Sequence, residues 1–170
     1  MIPTSTFIFL LIEVLAVTYL DLKVRKIPNS FAILNLIFFT YLILFQKDLY
    51  PFAWEHFTYS IVFLIIGFGL FLLKIMGGGD SKFLASFFLV IPISYQDFFL
   101  LNLLWTTIIV SGSLFLINII ENFVKIIEHI RSRDFSKIKN YFGKKIPFAP
   151  VVLMAWIWLG LEKIEFLLPF

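Results

Sequence analysis

Six stretches of almost unbroken apolar sequence, at 4–20, 31–45, 57–75, 83–95, 98–120 and 148–168, leave this chain few ways to fold. Crossing a bilayer core takes about 20 helical residues, so the second and fourth stretches are short for a full span. Inside lipid every backbone amide and carbonyl needs a partner within the protein, which leaves helices or closed barrels. Runs this long without apolar–polar alternation are helical. The expected fold is all-α, a polytopic membrane protein of about six transmembrane helices forming a single domain over residues 1–170. A soluble domain of this size has no use for a chain that is 61% hydrophobic. The first stretch lacks a basic segment ahead of its apolar run, so it reads as a permanent helix rather than a cleavable leader.

The charges orient those helices. Alternating the connections places Lys23, Arg25, Lys26, Lys74 and Lys82 on one side, with the seven basic residues from Lys125 to Lys145. Of the 14 basic residues, this leaves only Lys47 and Lys163 for the other side. The positive-inside rule then puts the crowded side in the cytoplasm and both termini outside. The localisation implied is a cell (inner) membrane crossed several times. The one long polar stretch, 121–146, reads as a basic cytoplasmic loop held near anionic headgroups, or as a docking surface for an acidic partner. No base-stacking aromatics interleave with its charges, so no nucleic acid is expected as a partner.

Several chemistries drop out. Without cysteine there is no disulfide, no thiolate zinc site and no cysteine nucleophile. His56 and His129 lie far apart with no ligand-like spacing, so neither a metal nor a cofactor is expected. His56 reads as interfacial. What remains is carboxylate chemistry.

The stretch Met76-Gly77-Gly78-Gly79-Asp80-Ser81-Lys82 interrupts the apolar sequence where the third helix runs out. Three glycines inside a helix would lose about 1 kcal/mol each against alanine, and an aspartate among apolar spans is a functional hypothesis by default. The reading is a break in regular helix, where backbone comes close to something else. Helix parity supplies a companion, since the first helix reaches the same membrane boundary near Asp21. Two carboxylates at one site do not both ionise comfortably and can share a proton. Such a pair takes a proton from water with one member and donates to a carbonyl oxygen with the other. The alternative is that both are interfacial residues, one ending a helix and the other closing a turn. Pro28 suits a helix start, and Asn29 or Ser30 can cap the second span. Pro147 opens the last span in the same manner. Glu13, two turns above Asp21, reads as a hydrogen-bonded carboxyl facing the bundle or as a route for protons.

These motifs resemble a known family. Asp21 followed by Ile27-Pro28-Asn29, with Gly77-Gly78-Gly79-Asp80-Ser81-Lys82, is similar to the paired signature of prepilin peptidases. These GxGD-type intramembrane aspartyl proteases are also called type IV leader peptidases. Lys145-Ile146-Pro147-Phe148-Ala149-Pro150 resembles the Pro-Phe-Gly-Pro segment that opens their last helix, with Ala149 in place of glycine. The resemblance implies that Asp21 and Asp80 are the catalytic pair. Their partners would be pilin-like precursors, cut just after a short basic leader at the cytoplasmic face. The glycines would admit the substrate backbone, and Lys82 would orient Asp80 or meet a substrate carboxylate. Larger members also methylate the new amino terminus through a cysteine-bearing region that this chain lacks. The expectation is peptidase activity alone, as in the small enzymes of Flp-type (tight-adherence) pilus systems. Archaeal preflagellin peptidases share both aspartate motifs. A non-catalytic membrane component of a pilus or secretion assembly is the rival from another class.

Overall fold

The computed structural model describes residues 2–73, 76–131 and 148–162, with side chains from 124 to 131 outside that description. Among the described residues there are six α-helices and no strand. They are α1 (Thr4–Val24), α2 (Asn29–Phe45), α3 (Trp54–Leu72), α4 (Gly78–Val90), α5 (Ile93–Arg131) and α6 (Ala149–Glu162). By length and composition α3 and the Ile93–Phe123 part of α5 can cross a membrane, while α2 and α6 are shorter apolar helices. Pro147, Lys74 and the basic residues from Arg133 to Lys145 lie outside the described residues.

Helix α4 is the centre of the bundle. Ser81 and every residue from Phe83 to Val90 are buried, so beyond its first turn this helix is enclosed around its whole circumference. Its aromatic side chains tie the other helices together. Phe87 meets Phe99 of α5 and Trp156 of α6 at ring-centroid distances of 5.3 and 5.5 Å, and Phe88 stacks on Phe63 of α3 at 4.7 Å. Such contacts contribute about 0.5–1.5 kcal/mol each beyond the area they bury. Trp156 also stacks on Phe7 of α1 and donates its indole N–H to the Phe7 carbonyl at 3.3 Å, closing α6 onto α1. The outer faces of α3 and α5 are exposed Leu, Ile and Phe, as a lipid-facing surface requires.

Four boundaries differ from the sequence reading. Helix α4 begins at Gly78, so two glycines and Asp80 form its first turn instead of preceding it. The helix-interior penalty for glycine does not apply where the amides have no intrahelical partner to lose, and an acidic residue is favoured there by the helix dipole. Helix α4 stops at Val90 because Pro92 follows, and α5 starts at Ile93. Helix α5 then runs 39 residues without a break, about 58 Å, which carries it into the polar stretch read as a loop. Lastly, Pro28 occupies the N-cap of α2 with no side-chain cap bond, and Asn29 is already helical.

Far from the glycines, the orphan carbonyls at the end of α4 are met by buried side chains from three other segments. Gln96 Nε2 lies 3.0 Å from the Phe88 oxygen and 3.2 Å from the oxygens of Ile91 and His56. His56 Nε2, which must carry hydrogen to face a carbonyl, bonds the Leu89 oxygen at 2.8 Å. Tyr50 donates to the Val90 oxygen at 3.0 Å, and burial pushes its phenol up, so it remains a donor. His56 is therefore a buried cap for the end of α4.

Candidate active site

The apolar spacing of α1 makes one buried stripe: Thr6, Leu10, Glu13, Val14, Val17 and Asp21. Asp21 closes that stripe on the last turns of the helix and is only 5% exposed. A buried carboxylate needs hydrogen bonds. Asp21 Oδ2 accepts one from the backbone N–H of Ala149, the first residue of α6, at 3.0 Å. Its own carbonyl accepts the Arg25 amide at 2.9 Å, where α1 ends. Arg25 takes left-handed backbone angles (φ 55°, ψ 35°), and that reversal lets α2 begin only four residues later. The turn buries Ile27 and leaves Pro28 and Asn29 exposed.

Asp80 sits in the first turn of α4, partly buried, and its Oδ2 accepts the backbone N–H of Gly77 at 3.1 Å. The two motifs touch through backbone. A Cβ placed on Gly79 would collide with the carbonyl oxygen of Ile27, so glycine is required there by the chain that follows Asp21. A second close approach went unread in the sequence. A Cβ on Gly67 of α3 would sit 2.5 Å from the Ser81 Cβ, so this glycine seats the start of α4 against α3.

The structure thus brings together Asp21 with the start of α6, and Ile27 with the glycine beside Asp80. Each carboxylate accepts an amide N–H at the N-terminus of a helix, where the dipole carries about half a positive charge. Lys82 does not join them. At 100° per residue its side chain leaves α4 about 200° from that of Asp80. It is exposed and, with Gly78 and Ser81, lines an apolar groove of about 560 Å³ against Leu64, Ile65, Phe68 and Phe71 of α3. Glu13 is buried with Asn35 beside it, yet neither carboxyl oxygen makes a hydrogen bond of normal geometry. Val17 fills the turn between Glu13 and Asp21. Among the described residues no group of three or more His, Cys, Asp or Glu could hold a metal ion.

Sequence reasoning named Ala149 only as part of the motif opening the last helix, and missed its amide, Gly67 and the turn at Arg25. Ala149 and Arg25 act through their backbones and Gly67 by lacking a side chain, so none has a side-chain signature. The proline flanking Ala149 was the available signal, because it marks where a helix starts.

No curated protein and no solved structure matches the chain. The family model of the type IV leader peptidase family matches residues 8–124, a span that takes in both aspartates, the turn after Asp21 and the glycine turn. That match covers well over half of the chain, and its membrane-capable helices suit a membrane peptidase: the chain belongs to the type IV leader peptidase family.

Proposed function

We propose that this protein is an intramembrane aspartyl endopeptidase. It cleaves the short basic leader from type IV pilin-like precursors at the cytoplasmic face of the inner membrane. The observation that carries the reading is the meeting of the two aspartate motifs, with Gly79 against the Ile27 carbonyl and each aspartate held by a helix N-terminal amide. Family membership supports the peptidase half of it. The charge distribution supports six spans with both termini outside and the paired motifs facing the cytoplasm.

Chemically, each aspartate accepts an amide through Oδ2. One aspartate, ionised, takes a proton from water as the water oxygen adds to the scissile carbonyl carbon, while the other, protonated, gives its proton to the carbonyl oxygen. The C–N bond of the resulting gem-diol then breaks, with a proton returned to the leaving amine. The glycines at the tip of α4 present no side chain to a passing peptide. Lys82, turned away from Asp80, is suited to a carboxylate of the substrate rather than to orienting its neighbour. The absence of cysteine favours cleavage without methylation of the new amino terminus.

The test is co-expression with a membrane-anchored precursor bearing a short basic leader, followed by mass analysis of its amino terminus. Wild type removes the leader, while Asp21→Ala and Asp80→Ala each leave it in place. Processing by both variants at the wild-type rate would end the aspartyl reading.

A further inference from the structure

Asp21 reaches across 128 residues of sequence for its hydrogen bond, and the donor is a main-chain atom. We infer that the backbone N–H of Ala149 is a positioning group for Asp21, fixing which carboxylate oxygen faces water and substrate; this rests on the aspartyl-peptidase reading above. Asp21 needs such a partner. It lies near the C-terminal, electronegative end of α1, which disfavours a carboxylate, and it is almost wholly buried. The start of α6 supplies the opposite field and a directed donor.

That donor is rigidly held. Ala149 and Val152 are 0% exposed and Val151 2%, and the amides of Val151 and Val152 already bond back to the Phe148 carbonyl at 3.0 and 3.3 Å. The first turn of α6 is therefore anchored in the core, with its leading amide aimed at Asp21. One oxygen of the carboxylate is taken, and Oδ1 is left to meet the reacting groups. A hydrogen bond of this kind sets position within a fraction of an ångström, and misplacement by about 1 Å can cost on the order of 100-fold in rate. Asp80 uses the same device through the Gly77 amide, so the two acids are mounted alike, on α6 and α4. The requirement falls on the N–H of residue 149 and not on its side chain.

The experiment removes that donor. Proline is accepted at a first helical position, so Ala149→Pro keeps the start of α6 while deleting the donor. Ala149→Gly keeps the N–H and removes only the methyl group. With full-length protein in nanodiscs and the membrane-anchored precursor as substrate, Ala149→Pro is expected to lower kcat by about 100-fold with KM within about threefold of wild type. Ala149→Gly should stay within about threefold of wild type in both constants. A backbone ester at position 149, introduced as lactic acid by nonsense suppression in cell-free synthesis, swaps N–H for O without added bulk. It should reproduce the proline result, and it decides the matter if the proline variant does not fold. Wild-type kcat in the folded proline or ester variant overturns the inference, as does a loss confined to KM or an equal loss in Ala149→Gly. A wild-type protein that leaves the precursor whole overturns the protease reading, and the positioning role falls with it. An active wild type beside an equally active ester variant overturns the positioning role alone.

Discussion

The two ends of α4 solve the same problem in opposite ways. At its C-terminus, four consecutive carbonyls from Phe88 to Ile91 are met by the side chains of Gln96, His56 and Tyr50, all at most 1% exposed. At its N-terminus the residues are glycines, Gly77 donates its amide N–H to the Asp80 carboxylate, and Asp80 stays only partly buried. One end is closed by three donors whose only task is to satisfy backbone. The other is left open, with a carboxylate where a closed end would have a buried amide or hydroxyl. Active sites require polar atoms that the fold holds but does not exhaust. The contrast therefore separates a stability end from a chemistry end on a single helix of 13 residues.

Reciprocal substitutions give the largest test of that separation. Asp80→Ala is expected to abolish precursor cleavage, at least about 1,000-fold or roughly 4 kcal/mol of transition-state stabilisation. Its thermal unfolding should shift less than that of a core variant, since Asp80 is only partly buried and its bond to the Gly77 amide lies in the first turn of the helix. Gln96→Leu should do the converse. It orphans the Ile91 carbonyl and leaves the Phe88 carbonyl only the Ile91 amide at 3.3 Å, an expected loss of about 1–3 kcal/mol. Unfolding in detergent followed by intrinsic fluorescence reads the loss, and kcat per folded molecule should hold. If Gln96→Leu lowered kcat as much as Asp80→Ala, the two ends would not be separate in function.

A smaller effect divides the glycines. Gly79→Ala forces a methyl group into the Ile27 carbonyl, whereas a Cβ on Gly112 of α5 meets nothing within 4 Å. The first change should destabilise by about 2 kcal/mol and lower cleavage as well, because it pushes the Asp21 turn away from Asp80. The second should be neutral or stabilise by up to about 1 kcal/mol, since alanine is the better helix former. Equal stabilities for the two alanine variants, measured as melting temperatures, would remove the contact between the motifs on which the site depends.

How much of this could be read in advance follows the same division. Asp21, Asp80 and their glycines and prolines stand out in sequence because chemistry concentrates polar and conformationally special residues against an apolar background. The stability end is silent, since Tyr50, His56 and Gln96 come from three segments and each looks like an ordinary polar residue near a helix end. The start of α4 was misread at 83 because glycine propensity was weighed as if at a helix interior, where its cost is real, instead of at a first turn, where it is slight. The partner of Asp21 was illegible for a different reason: the amide of residue 149 is common to every residue except proline.

Arg25 carries the smallest and most discriminating prediction. It is the one non-glycine residue at positive φ among the described residues, at the C-cap of α1, and it turns the chain from Asp21 towards Ile27 and Gly79. A left-handed conformation costs a residue with a Cβ about 1 kcal/mol, so Arg25→Gly should raise stability by about 0.5–1 kcal/mol if backbone conformation is all that matters there. The same change frees a turn that the chemistry end needs held in place. The expected outcome is a higher melting temperature with kcat unchanged or slightly lower, the reverse of the Gln96→Leu pattern. If instead Arg25→Gly lowered stability, the arginine side chain would be contributing contacts beyond its backbone. The turn after Asp21 would then belong with the densely bonded far end of α4, and the division between the two ends would have to be redrawn through α1.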